Sequence, residues 1–194
     1  MQSSPLLNEL IESKNRFIWI SWLGFLLSSV LYIIVAYLGT YSALQRPSQL
    51  TDTILYGCVG IAIVAGVCSL IISRVICSET KLKKKFQEIP KIERLAKSRG
   101  GKVDHGLLDK LDSLTLDEQR IYSIFSGYTG WYVVIEAVVD LIAVIGLVPA
   151  ILGRDFQLYF YFGIPAIVLK VLHYPKGNAF LELIELIAQK GAVS

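Results

Sequence analysis

Hydrophobic positions along this 194-residue chain gather into blocks instead of scattering. Predominantly apolar runs cover residues 17–41, 54–77, 131–152 and 156–172. A hydrocarbon core about 30 Å thick takes roughly 20 helical residues at 1.5 Å each. The first three runs meet that length, and the fourth meets it when its Tyr and Lys ends reach out to the interface. The pattern therefore predicts an all-α integral membrane protein, a four-helix bundle forming one membrane domain over 1–194. Residues 78–130 are expected to form a helical cytoplasmic loop, with short amphipathic helices at the two ends.

Between the runs the spacing becomes amphipathic. Ser4-Pro5 reads as a helix start, with a hydroxyl cap and a proline in the first turn. Leu6, Leu7, Leu10 and Ile11 then share one face, which predicts a short helix lying on the inner surface before the chain turns into its first span. Trp19 and Trp22 fit interfacial anchors. The second helix is expected to continue through Lys85 and Gln87 and stop at Ile89-Pro90. A short helix over 91–98 closed by Gly100-Gly101, and another turn or two over 103–111, come next. Thr115-Leu116-Asp117-Glu118 has the form of a capping box opening the helix that feeds the third span. Pro149 near the end of that span, and Gly163 with Pro165 in the fourth, predict local bends or ends. Phe180, Leu183, Ile184 and Ile187 mark one face of a terminal helix over 179–189.

Composition sharpens this picture. Charged residues make up only 18% of the chain, against about 25% in ordinary soluble domains. Of the 19 basic residues, seventeen lie before the first run, within 74–120 or from 170 onward; Arg46 and Arg154 alone fall in the two short loops at 42–53 and 153–155. By the positive-inside rule both termini and the long loop face the cytoplasm, as in a multi-pass protein of a bacterial inner membrane. The first run is too long for a signal-peptide core and no small-residue cleavage site closes it, so it reads as a retained span. The net charge of +3 is not a nucleic-acid signal. Its cluster Lys81, Lys83, Lys84 and Lys85 follows a span end, where anionic lipid headgroups attract it.

Cys58, Cys68 and Cys77 all lie in the second run, so they read as small packing residues instead of a disulfide framework. Gly57, Cys58, Ala62 and Gly66 in the same helix form a small-residue ridge, suited to close helix packing within the bundle or between subunits of an oligomer or membrane complex.

Two carboxylates stand inside the third run. A charge at the bilayer centre costs roughly 2.5–3.5 kcal/mol on the mildest scale, so such residues are kept for a partner or a task. Glu136 and Asp140 are four apart and share a helix face. With Trp131 at the interface, Glu136 lies roughly 7–8 Å deep and Asp140 roughly 13–14 Å. Lys170, four residues inside Tyr174 on the antiparallel fourth helix, lies about 6 Å deep. Matching depths predict a Glu136–Lys170 ion pair. Asp140 then has no cation at its level and is expected as a neutral acid hydrogen-bonded by Tyr32, Ser28 and Ser29 of the first helix.

The segment Asp140-Leu-Ile-Ala-Val-Ile-Gly146-Leu147-Val148 resembles the outer helix of rotor-ring c subunits of ATP synthases, where an ion-binding carboxylate precedes a Gly-Leu pair by six residues. That resemblance implies an ion-carrying role for Asp140. The longer stretch 121–175 is similar to small four-span bacterial membrane proteins without an assigned activity. It shares with them an acidic helix with a Gly-Leu step, a short polar turn at Gly153-Arg154-Asp155, and an exit at Tyr174-Pro175-Lys176.

His105 and His173 stand apart, and no Cys-His set or phosphate-binding glycine loop appears, so no metal and no cofactor are expected. Three functions fit these residues. The first is a non-enzymatic structural or assembly component, the second a small proton- or cation-coupled transport component using Asp140, and the third a lipid-handling enzyme built on Glu136 and Asp140.

Overall fold

The structure, a computed structural model, describes residues 4–43, 50–97 and 102–191, the last two without their side chains. Arg46 and the Gly100-Gly101 pair lie outside the described residues. The protein is all-α. Eight helices occur among the described residues: α1 (Pro5–Ala43), α2 (Asp52–Ile76), α3 (Glu79–Gln87), α4 (Ile92–Leu95), α5 (His105–Asp112), α6 (Leu116–Gly153), α7 (Gln157–Leu172) and α8 (Gly177–Gly191). One isolated antiparallel bridge, Lys97 to Val103, is the only extended pairing among them. Helices α1, α2 and α6 are each long and apolar enough to cross a membrane. α7, with 16 residues, reaches that length only when the apolar stretch after it is counted as well.

Two helix boundaries differ from the expectation. α1 is one uninterrupted helix of 39 residues, about 58 Å long at 1.5 Å per residue, not a surface piece that turns into a span. No proline follows Pro5 within it, and its early apolar residues Leu7, Leu10 and Ile11 are buried against other helices. The second helix breaks at Cys77-Ser78 instead of running on to Gln87. Ser78 is extended (φ −68°, ψ 122°) and caps α3. Restarting there aims Leu82 and Phe86, four apart, into a core.

The chain forms two compact units. One comprises residues 1–19, 75–131 and 176–194; the other comprises 20–74 and 132–175. The first unit has a conventional apolar core that includes Leu7, Ile18, Leu111, Phe125 and Ile184, none more than 1% exposed. Tyr128 stacks on Phe180 with centroids 4.1 Å apart, fastening α6 to α8. The start of α6 is fixed by the expected capping box. The Thr115 amide donates to Glu118 Oε2 at 3.0 Å, and the Glu118 amide donates back to Thr115 Oγ1 at 3.4 Å. Glu118 also accepts the Ser4 amide on Oε1 at 2.8 Å, so one carboxylate caps two helices.

In the second unit Cys58 and Ala65 of α2 pack with Val139, Ile142 and Ala143 of α6 and with Phe162 and Ala166 of α7. Of the expected small residues, Cys58, Ala62 and Gly66 lie on this face. Ala62 packs against this cluster, and a side chain at Gly66 would meet Leu169 and Ile142 at 3.7–3.8 Å. Gly57 is exposed with nothing near it and takes no part in the contact. The closest approach is between α6 and α7, where a Cβ on Gly146 would stand 2.5 Å from that of Phe162. α6 continues past Pro149 and ends in a Schellman turn, with Arg154 left-handed (φ 56°) and the Asp155 amide donating to Ala150 O at 3.1 Å.

Glu118 gives this fold a pH signature. Burial pushes its carboxyl up, but the donors from Ser4 and Thr115 outweigh that and hold it at about 2, against an ordinary 4.5. A carboxylate depressed by folding stabilises the protein fully above its unfolded value and loses that contribution as pH falls through the folded one. Wild type is expected to exceed Glu118→Gln in stability by a few kcal/mol above pH 5. The gap should close between pH 4.5 and 2. Chemical denaturation across that range checks it, and a constant gap would refute the assignment.

Candidate functional site

The face of α1 in the second unit carries Trp22, Phe25, Ser29, Tyr32 and Ala36 at three- and four-residue spacing. Such a stripe turns polar and aromatic groups together toward one neighbour. α6 answers with Glu136, Val139, Asp140 and Ala143, and α7 with Ala166, Lys170 and His173. These three helices enclose the only buried ion pair among the described residues.

Lys170 lies at its centre, and its side chain has no exposed surface. Its ammonium is 2.6 Å from Asp140 Oδ1. It also donates to Ser29 Oγ at 2.7 Å and to the Phe25 carbonyl, and the Ser28 hydroxyl lies at 3.3 Å. An ammonium has three N–H groups, and each has an acceptor here. Asp140 is equally engaged. Ser28 Oγ donates to Oδ1 at 2.8 Å and the Tyr32 hydroxyl donates to Oδ2 at 2.8 Å. The Trp22 indole N–H donates to the Lys170 carbonyl at 3.1 Å, adding a second tie between α1 and α7.

Of the α1 residues expected to bond Asp140, Tyr32 and Ser28 do so, whereas Ser29 accepts from Lys170 instead. The expected cation partner is different. Lys170 pairs with Asp140, not Glu136, so Asp140 is an ion-paired carboxylate and not an isolated acid. The reason is local. α1 presents the Ser29 hydroxyl and the Phe25 carbonyl beside Asp140, and such acceptors are what a buried ammonium needs for its remaining protons. A flexible four-carbon stem lets Lys170 reach that level.

Glu136, one turn away, is fully buried, and neither carboxyl oxygen has a hydrogen-bond partner. The Tyr132 hydroxyl lies alongside it on the same helix. His173 is buried at the end of α7 with both ring nitrogens unbonded. Trp22, Phe25 and Tyr159 went unrecognised as part of the site. Tyr159 is 1% exposed with its hydroxyl unpartnered. The α1 stripe was the available signal for Trp22 and Phe25; nothing in the sequence singles out Tyr159 from the other aromatic residues of α7. No group of three His, Cys, Asp or Glu among the described residues is placed to hold a metal ion.

Removing one member of a buried, hydrogen-bonded pair leaves its partner's charge uncompensated and costs about 3–5 kcal/mol, whereas replacing both by apolar residues is often neutral. Lys170→Met should therefore unfold the protein at markedly lower temperature in detergent. Adding Asp140→Leu should restore most of the loss; adding Glu136→Leu should not. A double-mutant cycle in which Glu136→Leu gives the rescue would return the pairing to Glu136.

No family model, no curated protein and no solved structure matches this chain.

Proposed function

We propose that this chain is a multi-pass membrane protein of the structural or assembly kind, with α1, α2, α6 and α7 as a four-helix bundle of spans. The observation that carries the reading is the saturation of the Asp140–Lys170 network. Every ammonium proton and both carboxylate oxygens are already bonded within the chain. Such an arrangement clamps three helices in one register and leaves neither charge available for a substrate. The apolar exterior of α2, with Ile61, Ile63, Val64 and Val67 all at least half exposed, suits lipid or another span of a membrane complex. The basic bias of 78–130 supports a cytoplasmic placement for that segment and both termini, in a bacterial inner membrane. Lys81, Lys83, Lys84 and Lys85 then meet anionic headgroups.

One observation favours a second reading, proton- or cation-coupled transport. Glu136 is a fully buried carboxyl outside the Asp140–Lys170 ion pair, and intramembrane carboxyls of this kind mark proton relays. The ion-carrying role that the rotor-ring resemblance implies for Asp140 passes, on this geometry, to Glu136, because Asp140 would first have to surrender Lys170.

Two experiments separate these readings. An impermeant amine-reactive cross-linker applied to inverted vesicles is expected to trap a discrete complex through the lysines of 78–130, and to trap none from the outer side. A lone monomer from both sides contradicts the assembly reading, and trapping from outside alone reverses the orientation. For transport, purified protein in liposomes is expected to dissipate a pH gradient and Glu136→Gln to abolish this with the thermal midpoint unchanged. Wild-type liposomes no leakier than empty ones would end the transport reading.

A further inference from the structure

A concavity lies wholly within the first unit. It has a volume of about 570 Å³, in the range of small-molecule sites. Three stretches of chain wall it: the end of α3, the turn into α4 with α4 itself, and the second to fourth turns of α6. Four cations face it from these elements, Lys85, Lys91, Arg94 and Arg120, against a single acid, Glu88. Ser123 and Ser126 add hydroxyls on the α6 wall, one turn and two turns beyond Arg120.

Arg120 is held ready at the back. Its Nη1 donates to Asp117 at 2.9 Å, and its guanidinium lies over the Phe86 ring at 5.6 Å. With those two contacts fixing the plane, its Nε–H remains buried without an acceptor. Lys85 reaches toward the same wall, its ammonium 3.6 Å from where a Cβ on Gly127 would stand. Of the headgroup cluster expected from the sequence, only Lys85 takes part; Lys81, Lys83 and Lys84 lie outside the cleft.

The geometry points to a binding site for a phosphate group in this cleft, with Arg94, Lys91, Lys85 and Arg120 as its charged donors. Three features select phosphate over other anions. A tetrahedral dianion accepts from several directions at once, guanidinium forks match its oxygen edges, and serine hydroxyls supply neutral donors between them. A simple carboxylate would leave most of these donors unused. The same chemistry serves a phospholipid headgroup and a free phosphate ester.

Calorimetric titration of the full chain in nanodiscs of zwitterionic lipid distinguishes the two sources. The ligands are dihexanoyl phosphatidic acid and inorganic phosphate. Saturable one-to-one binding of the first alone identifies a lipid headgroup site, and binding of both identifies a phosphate site open to soluble ligands. In either case the exposed pair Lys91→Gln/Arg94→Gln should weaken binding about tenfold or more. The pair Lys97→Gln/Lys102→Gln, which removes equal charge away from the cleft, should leave it within about twofold. Absence of saturable binding by either ligand overturns the proposal, as does equal weakening by both double variants.

Discussion

An ammonium and a carboxylate taken out of water must find in each other, and in nearby dipoles, what solvent gave them. That constraint organises the second unit. Coulomb attraction alone does not repay desolvation of two ions. The pair is sustainable here because α1 supplies the rest: the Phe25 backbone carbonyl, two serine hydroxyls and a tyrosine hydroxyl. Three helices are tied by one network, and their register follows from it. In the apolar cluster of the unit, Cys58, Ala65, Ala143 and Ala166 are small enough to let the helices approach closely. Small apolar contacts have little directionality, so a directional polar clamp carries specificity that apolar shape alone would leave loose.

Much of this was legible in the sequence, because membrane helices obey few rules. Long apolar runs gave the long helices. Thr115 and Glu118 announced the start of α6 by a capping chemistry that needs only local spacing. Tyr32 and Ser28 were recognisable as partners for Asp140 because polar groups on an apolar helix have few alternatives, whereas Ser29 bonds Lys170. The pairing of Lys170 was not legible. Depth counted from Trp131 and Tyr174 carries an uncertainty of about one turn, or roughly 5 Å, and one turn is the whole difference between Glu136 and Asp140. Acceptors on a third helix decided between them, and depth along two helices does not contain that information. Gly146 shows the converse. Read as half of a Gly-Leu resemblance, it proves to be where α6 and α7 come too close for any side chain.

The first unit follows different physics. Its helices are short, amphipathic and held by an ordinary core, with Glu118 joining the start of α1 to the start of α6. The break at Cys77-Ser78 and the unbroken course of α1 were both missed for one reason. Each depends on where Leu82, Phe86, Leu7 and Ile11 find a core, and that core is assembled from segments more than 70 residues apart. Local periodicity identifies an apolar face; it does not say which distant face will cover it. The same assembly gathers Lys85, Arg94 and Arg120, distant in sequence, around one cleft, turning part of a generic basic loop into a defined constellation.

The most direct test of the central claim is a solid-state NMR distance in lipid bilayers, from the Nζ of Lys170 to the side-chain carboxyl carbons of residues 140 and 136. The account predicts strong dipolar coupling to Asp140 Cγ, corresponding to less than about 4 Å, from an ammonium in ion-pair contact. Strong coupling to Glu136 Cδ with none to Asp140 would contradict it.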